Sequence, residues 1–416
     1  MMKKYGKNLP FLTLFLICSF SLFSCSVKLP PETLPSFKPT EITVTETEVT
    51  ETAEITTEPT ETEPLHGPFS TASVTDMPVE INGNLSVSEA HMVNENGDTV
   101  VLRGMSSYCL PECGDFFNAD TVKTLAEDWG CDVLRISNLT SGSDSYESDP
   151  EGYFVKVCDI IDLCIEQGIY IIVDWHITVD GDPNEHIDEA ADFFGRISAL
   201  YGEYPNVIYE ICNEPDGLIF DAEPEDNEGE DTEEEEEVEE NRVNWVDSIV
   251  PYAEEITEVI RENDEDNMIL VGTPDKCTSF EDVIENPLED ANTLYVFHFY
   301  AAEDKQEQID NVMLMVDAGL PLFCSEWDTC SRERTGEADF ETAELWLTFM
   351  DENQIGWCNG YIGSSVTETA NALKYMSNIL TDEEKAGGHW PDEFISASGL
   401  FVRCHLLGIP YESLEN

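Results

Sequence analysis

Positive charge is what this chain has least of. Its 416 residues carry 88 Asp and Glu against 19 Lys and Arg, a formal net charge of −69. A surface so poor in cations repels phosphate backbones, which excludes nucleic acid as a partner. The same repulsion excludes peripheral binding to an anionic membrane surface. Neutral sugars are indifferent to it. No glycine-rich loop follows an early strand-like run, which counts against a nucleotide-binding sheet. No His-x-x-His spacing occurs, so a metal-dependent hydrolase is not expected and neither cofactor nor metal is called for. The apolar stretch FLTLFLICSFSLF falls short of the ~20 residues a membrane-spanning helix needs.

That stretch has another reading. Lys3, Lys4 and Lys7 precede it and Ser24-Cys25 follows, the layout of an export signal. Leu22-Phe23-Ser24-Cys25 resembles a bacterial lipobox with Cys25 as the lipidated residue, although Phe23 stands where a small residue is usual. Residues 1–25 are therefore expected to be a signal peptide of lipoprotein type. They would place the chain outside the cell or on the outer face of the bacterial cell membrane, held there only by a lipid. Residues 26–66 are Thr, Glu and Pro in quasi-repeats; nothing in them can bury a core, and they read as an extended tether. Residues 67–416 read as one large domain, expected to act as a monomer. Cysteine is plentiful, at 13. Cys158, Cys164, Cys212, Cys324 and Cys358 fall in core-like runs and read as buried thiols. Cys109 and Cys113, in a loop, are the better candidates for a bond.

Asn96-Gly97 signals a small hairpin turn near the start of the domain. A strand–helix alternation follows, with strands at 100–107, 131–138, 169–175, 207–213, 268–273, 293–299, 320–326 and 355–361. The helical stretches between them include TVKTLAEDWG and EGYFVKVCDIIDLCIEQG, each ending at Gly. Eight such units predict an α/β fold, a single (β/α)8 TIM barrel with a small N-terminal β-hairpin. An open doubly wound sheet is the alternative. The almost wholly acidic stretch 221–241 interrupts the rhythm and reads as a disordered insertion.

Several strand ends carry groups that an apolar core would not hold. Arg135 ends the second strand, Asp174-Trp175-His176 the third, Asn213-Glu214 the fourth, His298-Phe299-Tyr300 the sixth and Glu326-Trp327 the seventh. A lone Asn-Glu-Pro is more often a structural motif than a site. Five strand ends in register are a different matter, because a barrel brings them together at its C-terminal mouth. Two glutamates there suit cleavage of a glycosidic bond, one protonated to release the leaving oxygen and one ionised to attack the sugar. Arg135 can hold a carboxylate ionised, and Asn213 can bond a sugar hydroxyl. His298 and Tyr300 can orient a carboxylate, while Trp245 and Trp327 offer faces for stacking a sugar ring.

The runs LRGMSS, GIYIIVDWH, ALYGEYPNVIYEICNEP, PYAEEI, VFHFYA, SEWDT and SGLFVR, spread over residues 83 to 408, resemble glycoside hydrolase family 5, in its bacterial endoglucanase branch. The resemblance implies Glu214 as acid/base and Glu326 as nucleophile of a retaining reaction. Arg135, His176, Asn213, His298 and Tyr300 match supporting positions, and Trp245 matches a cleft tryptophan. It implies an endo-β-1,4-glycanase of cellulase type, with a β-glucan as polysaccharide partner. The departures lie in the cleft. Tyr108 stands where relatives carry His, CLPECGDFF lacks a stacking Trp, Leu139 replaces a Tyr, Gly360 replaces a Trp and Ser365 a Lys. Losing three stacks at ~1 kcal/mol each could weaken a glucan by a hundredfold or more. The alternatives are a weakened relative that displays or binds glycans, and an enzyme for mannan, xylan or xyloglucan.

Overall fold

The computed structural model describes residues 77–110, 116–142, 144–217, 242–364, 371–374 and 390–411. Cys25, the tether 26–66, the acidic stretch 221–241, Cys113 and Ser365 lie outside the described residues, as do the side chains of Tyr108 and Cys109.

After a short helix, Pro78–Asn82, the described chain forms a two-stranded antiparallel sheet, β1 (Ser86–Ser88) and β2 (His91–Val93). Its turn is Glu89-Ala90, both at positive φ, one turn earlier than the sequence indicates. Asn96-Gly97 closes a second turn that pairs Val93 with Thr99. The first turn escaped notice because neither of its residues is the Gly or Asn that such dihedrals favour.

Eight parallel strands then close into a barrel: β3 (Arg103–Cys109), β4 (Val133–Leu139), β5 (Tyr170–His176), β6 (Val207–Glu210), β7 (Ile269–Gly272), β8 (Thr293–Tyr300), β9 (Leu322–Asp328) and β10 (Gly356–Ile362). Each expected strand is present, with β6 stopping at Glu210 rather than Asn213. Their β-branched and aromatic runs are buried on both faces, as the continuous burial of β5, β8 and β9 requires. Tyr170, Ile172, Ile208, Leu270, Leu294, Val296 and Phe323 form one apolar cluster, and a second lies between strands and helices. The helix α1 (Ala119–Glu127) starts at Asn118, whose side chain accepts the N–H groups of Asp120 and Thr121. The helix α2 (Pro150–Gln167) ends at Gly168, in the left-handed region at φ 67°, where an L side chain is strained. Among the described residues no helix is long and apolar enough to cross a membrane. The nine described cysteines are free, all but Cys158 buried.

One irregularity decides what the mouth contains. Between Val296↔Phe323 and His298↔Glu326, β9 advances one residue further than β8. This bulge lets Ser325 and Glu326, although adjacent, both reach into the barrel, where Ser325 bonds Glu210 and Glu326 bonds Arg135. Trp327 then turns outward, since strand neighbours face opposite ways. It stacks on Phe299 at 5.3 Å and meets Trp357 edge-on at 5.5 Å, fully buried. Trp346, on the helix α3 (Phe340–Glu352), stacks on Phe299 at 4.3 Å. Trp245 is likewise buried, its Nε1–H donating to the Asn286 carbonyl and its ring beside Tyr295. Neither Trp245 nor Trp327 has a face open to a sugar, which corrects their expected stacking role.

Asp328 ends β9 fully buried, accepting the Thr329 N–H at 2.6 Å. Burial pushes its carboxyl up to about 7, beyond what the Thr329 N–H and Arg334 pull back. A folded-state value raised above the unfolded one means the protonated form fits the fold. Stability is then greatest below the ordinary carboxylate range and falls as pH climbs to about 7.

Two outcomes follow from this packing. Trp346→Ala is expected to cost roughly 3–5 kcal/mol in chemical denaturation, because it empties the centre of the aromatic layer. Asp328→Asn should flatten the loss of stability between pH 4 and 7 relative to the unaltered chain; an unchanged slope would refute the buried-proton account.

Candidate active site

Arg135 stands fully buried on β4, at the centre of the mouth. Its Nε and Nη2 grip Glu210 through both carboxylate oxygens at 2.7 and 2.9 Å. Nη2 also meets Asp174 Oδ2 at 2.9 Å and donates to Asn213 Oδ1 at 2.7 Å, while Nη1 reaches Glu326 Oε2 at 3.2 Å. Burial alone would lower this guanidinium; Asp174, Glu210 and Glu326 more than reverse that and hold it charged. The register explains the convergence: Arg135 pairs with Ile172, and Asp174 with Glu210, so alternate residues of β4, β5 and β6 share the interior.

Glu326 is held at both oxygens. The Tyr300 hydroxyl donates to Oε1 at 2.6 Å, Arg334 Nη2 to Oε1 at 3.0 Å, and Arg135 to Oε2. Burial pushes its carboxyl up, but Arg334, His298, Arg135 and His176 outweigh burial and hold it well below the usual glutamate value. Burial also raises the Tyr300 phenol, which keeps it a proton donor. Glu326 is thus ionised and fixed in one orientation.

Glu214 lies just beyond β6 and is held at one oxygen only. His298 Nδ1 meets its Oε1 at 2.9 Å and Arg332 Nη1 donates to the same atom at 3.2 Å. Burial and the Glu326 charge push the carboxyl up; His298 and Arg332 pull harder and leave it below its ordinary value.

The protons here can be followed through donors and acceptors. Glu210 is gripped by Arg135, so the Ser325 hydroxyl donates to Glu210 Oε1 at 2.8 Å. Ser325 must then accept from His298 Nε2, 2.9 Å away. With that proton on Nε2, one further proton lies between His298 Nδ1 and Glu214 Oε1, on one atom or the other. Glu214 and His298 therefore hold a transferable proton as a pair, oriented by Glu210 through Ser325.

The structure brings Arg135, Asn213, Glu214, His298, Tyr300 and Glu326 together. Asn213 is pinned on its other side, Nδ2 donating to the Ile177 carbonyl at 3.2 Å. His176 sits one step back, its Nδ1 against Asp174 Oδ2 at 2.7 Å. Leu139 ends β4 half-buried, with its backbone N–H on the Tyr153 hydroxyl. Five contributors were missed in the sequence: Asp174 as an Arg135 partner, Glu210, Ser325, Arg332 and Arg334. A charged residue within the apolar run VIYE was the available signal for Glu210. Arg332 and Arg334 lie in a loop without periodicity, and only the rarity of cations marked them. Among the described residues no three or more His, Cys, Asp or Glu are arranged to hold a metal ion.

Comparisons with known proteins bear on the family and the fold. The chain is 39% identical over 307 residues to endoglucanase A of Evansella cellulosilytica, covering 74% of this chain and 56% of that protein. It is 36% identical over 335 residues to endoglucanase N of Pectobacterium atrosepticum, covering 80% and 67%. Among solved structures, the catalytic domain of Thermobifida fusca endoglucanase Cel5A superposes with a TM-score of 0.69 at 30% identity, over 80% of this chain and 99% of that one. The family model for cellulase, glycosyl hydrolase family 5, matches residues 93–364, across the strands that supply Arg135, Glu214 and Glu326. The chain belongs to glycosyl hydrolase family 5, the cellulase family.

Proposed function

We propose that this protein is a retaining endo-β-1,4-glucanase. The observation that carries the reading is the asymmetry of two carboxylates at one mouth: Glu326 bound at both oxygens by Arg135, Arg334 and Tyr300, Glu214 bound at one oxygen by His298 and Arg332. In the first step Glu326 attacks the anomeric carbon while Glu214 passes its proton to the departing glycosidic oxygen. In the second, Glu214 takes a proton from water, whose oxygen displaces Glu326 from that carbon. Tyr300 and Arg135 keep the attacking carboxylate from rotating, and His298 holds the shared proton against Glu214 until the leaving oxygen takes it; water returns one proton to the pair in the second step. Relatives named endoglucanase support a β-glucan as the substrate. The positive N-terminal residues and Leu22-Phe23-Ser24-Cys25 support export and a lipid anchor at Cys25.

A second reading, another β-glycan, is favoured by one observation. Trp245 and Trp327 are sealed in the core, so the described cleft lacks the stacking surfaces assigned to them.

The purified protein is expected to release reducing ends from carboxymethyl-cellulose or mixed-linkage β-glucan. Silence across glucans, mannans, xylans and xyloglucan would sink the enzyme reading. Glu326→Gln should abolish turnover, and Glu214→Gln should lower it about 10²–10⁴-fold. With an activated aryl glycoside, azide should rescue Glu214→Ala and give the β-glycosyl azide, whereas rescue of Glu326→Ala should give the α-anomer. The opposite pairing would reverse the two roles.

A further inference from the structure

The loop after β9 carries two arginines that no strand end supplies. Its turn is tight: the Arg334 N–H donates to the Ser331 carbonyl at 2.8 Å, and the Asp339 N–H to the Thr329 carbonyl at 2.8 Å. Arg334 sits in the left-handed region at φ 59°, a strained conformation that persists only where surrounding contacts enforce it. Two residues apart, Arg332 and Arg334 reach different glutamates. Arg332 lies over the Tyr300 ring at 4.6 Å and bonds Glu214; Arg334 lies over the Tyr361 ring at 5.3 Å and bonds Glu326. Both guanidiniums are about three-quarters buried, their side chains 26% and 22% exposed, so water screens them only in part.

We propose that this loop sets the two protonation limits of the active site separately, Arg332 acting on Glu214 and Arg334 acting on Glu326. The inference rests on the roles given to those glutamates above. Glu214 faces His298 from β8, Glu326 from β9 and Arg332 from the loop, with Asp304 and Cys277 close by. Glu326 faces Arg135 from β4, His176 from β5, His298 and Tyr300 from β8, Glu214 beyond β6, Asp328 on its own strand and Arg334 from the loop. Most of these are strand residues tied into the Arg135 and Ser325 contacts. The two arginines are the loop's addition: Arg332 bonds Glu214 and lies 4.0 Å from Asp304, and Arg334 bonds Glu326.

The signs follow from charge. The Glu214–His298 pair is neutral with its shared proton and negative without it. Arg332 favours the negative state, so deleting Arg332 lets the proton stay to higher pH. Glu326 is negative when able to attack, a state that Arg334 favours. Deleting Arg334 makes Glu326 protonate at higher pH. The first change moves the alkaline limb of activity upward and the second moves the acid limb upward.

The test is kcat/KM against pH for the full chain, Arg332→Gln, Arg334→Gln, the double variant and the two Lys variants, on the soluble glucan that the chain cleaves. At the alkaline pH where the unaltered enzyme keeps about a tenth of its optimum, Arg332→Gln is expected to keep about half of its own. Its acid limb stays in place. Arg334→Gln should show the mirror pattern, with the acid limb raised and the alkaline limb fixed. The double variant should move the whole bell upward, and the Lys variants should restore the limbs. Loss of activity at every pH with both limbs unmoved would overturn the proposal and leave the loop a structural cover. Glutamate ¹³C-carboxyl titration by NMR, assigned with Glu214→Gln and Glu326→Gln, reads the same two groups without turnover; carboxyls that titrate unchanged in both arginine variants would also overturn it. Failure of the glycosidase reading looks different: no turnover, or turnover retained in Glu326→Gln, while the carboxyl titrations still decide the role of the loop.

Discussion

One buried guanidinium holds this active site together. Arg135 faces Glu210, Asp174 and Glu326, each at most a few per cent exposed. Moving a carboxylate from water into a protein interior costs several kcal/mol even after relaxation, and removing the partner of a buried ion costs about 3–5 kcal/mol. Three such groups cannot share the mouth of a barrel without a cation of fixed geometry among them. Arginine suits the position where lysine would not, since its planar fork binds Glu210 through two parallel bonds and still presents a third nitrogen to Glu326. The contact also ties β4 to β5, β6 and β9 just above the apolar filling of Ile172, Ile208 and Leu270.

The arithmetic of that cluster reaches outward. One cation against three carboxylates leaves an excess of negative charge; burial, and after it the Asp174 charge, raise Glu210 even against the pull of Arg135. The relay through Ser325 and His298 and the two arginines of the β9 loop supply what is missing. A chain with 19 basic residues in 416 places three of them within reach of the same two glutamates. That concentration is the physical counterpart of the charge deficit from which the sequence reading begins. Elsewhere the surface keeps its negative charge exposed to water, where it costs little; at the mouth each carboxylate needs a named partner.

Much of this was legible in order. Parallel strands buried on both faces read as continuous β-branched and aromatic runs, so the barrel was visible before any contact was known. Glu214 and Glu326 stood out because each ends such a run. The misreadings have physical causes. Trp327 adjoins a glutamate that points inward, and strand alternation sends it the other way; the rule was available, but the bulge at Ser325–Glu326 obscured which parity applies. Trp245 is adjacent to no inward group at all, and only the packing against Tyr295 and the Asn286 carbonyl places it in the core. Glu210 looked like strand filler because nothing local shows that β4 aims an arginine at it. Arg332 and Arg334 belong to a loop whose conformation depends on long-range contacts with Glu214, Glu326, Tyr300 and Tyr361.

With the two tryptophans withdrawn into the core, the described mouth, under the proposed function, holds a sugar by other means. The ring faces of Tyr300 and Tyr361, which would otherwise be natural platforms, each lie under a guanidinium. A sugar meeting this floor meets arginine N–H donors and carboxylate oxygens before it meets an aromatic face. Hydrogen bonds exchanged for water contribute only about 1 kcal/mol each, but a mismatched hydroxyl that leaves a buried donor unpaired costs more. A floor of that kind gains little affinity from the number of sugars bound and much discrimination from the position of their hydroxyls. Under the proposed function, the choice among β-glycans therefore rests on which hydroxyl pattern suits the arginine and carboxylate groups of this floor.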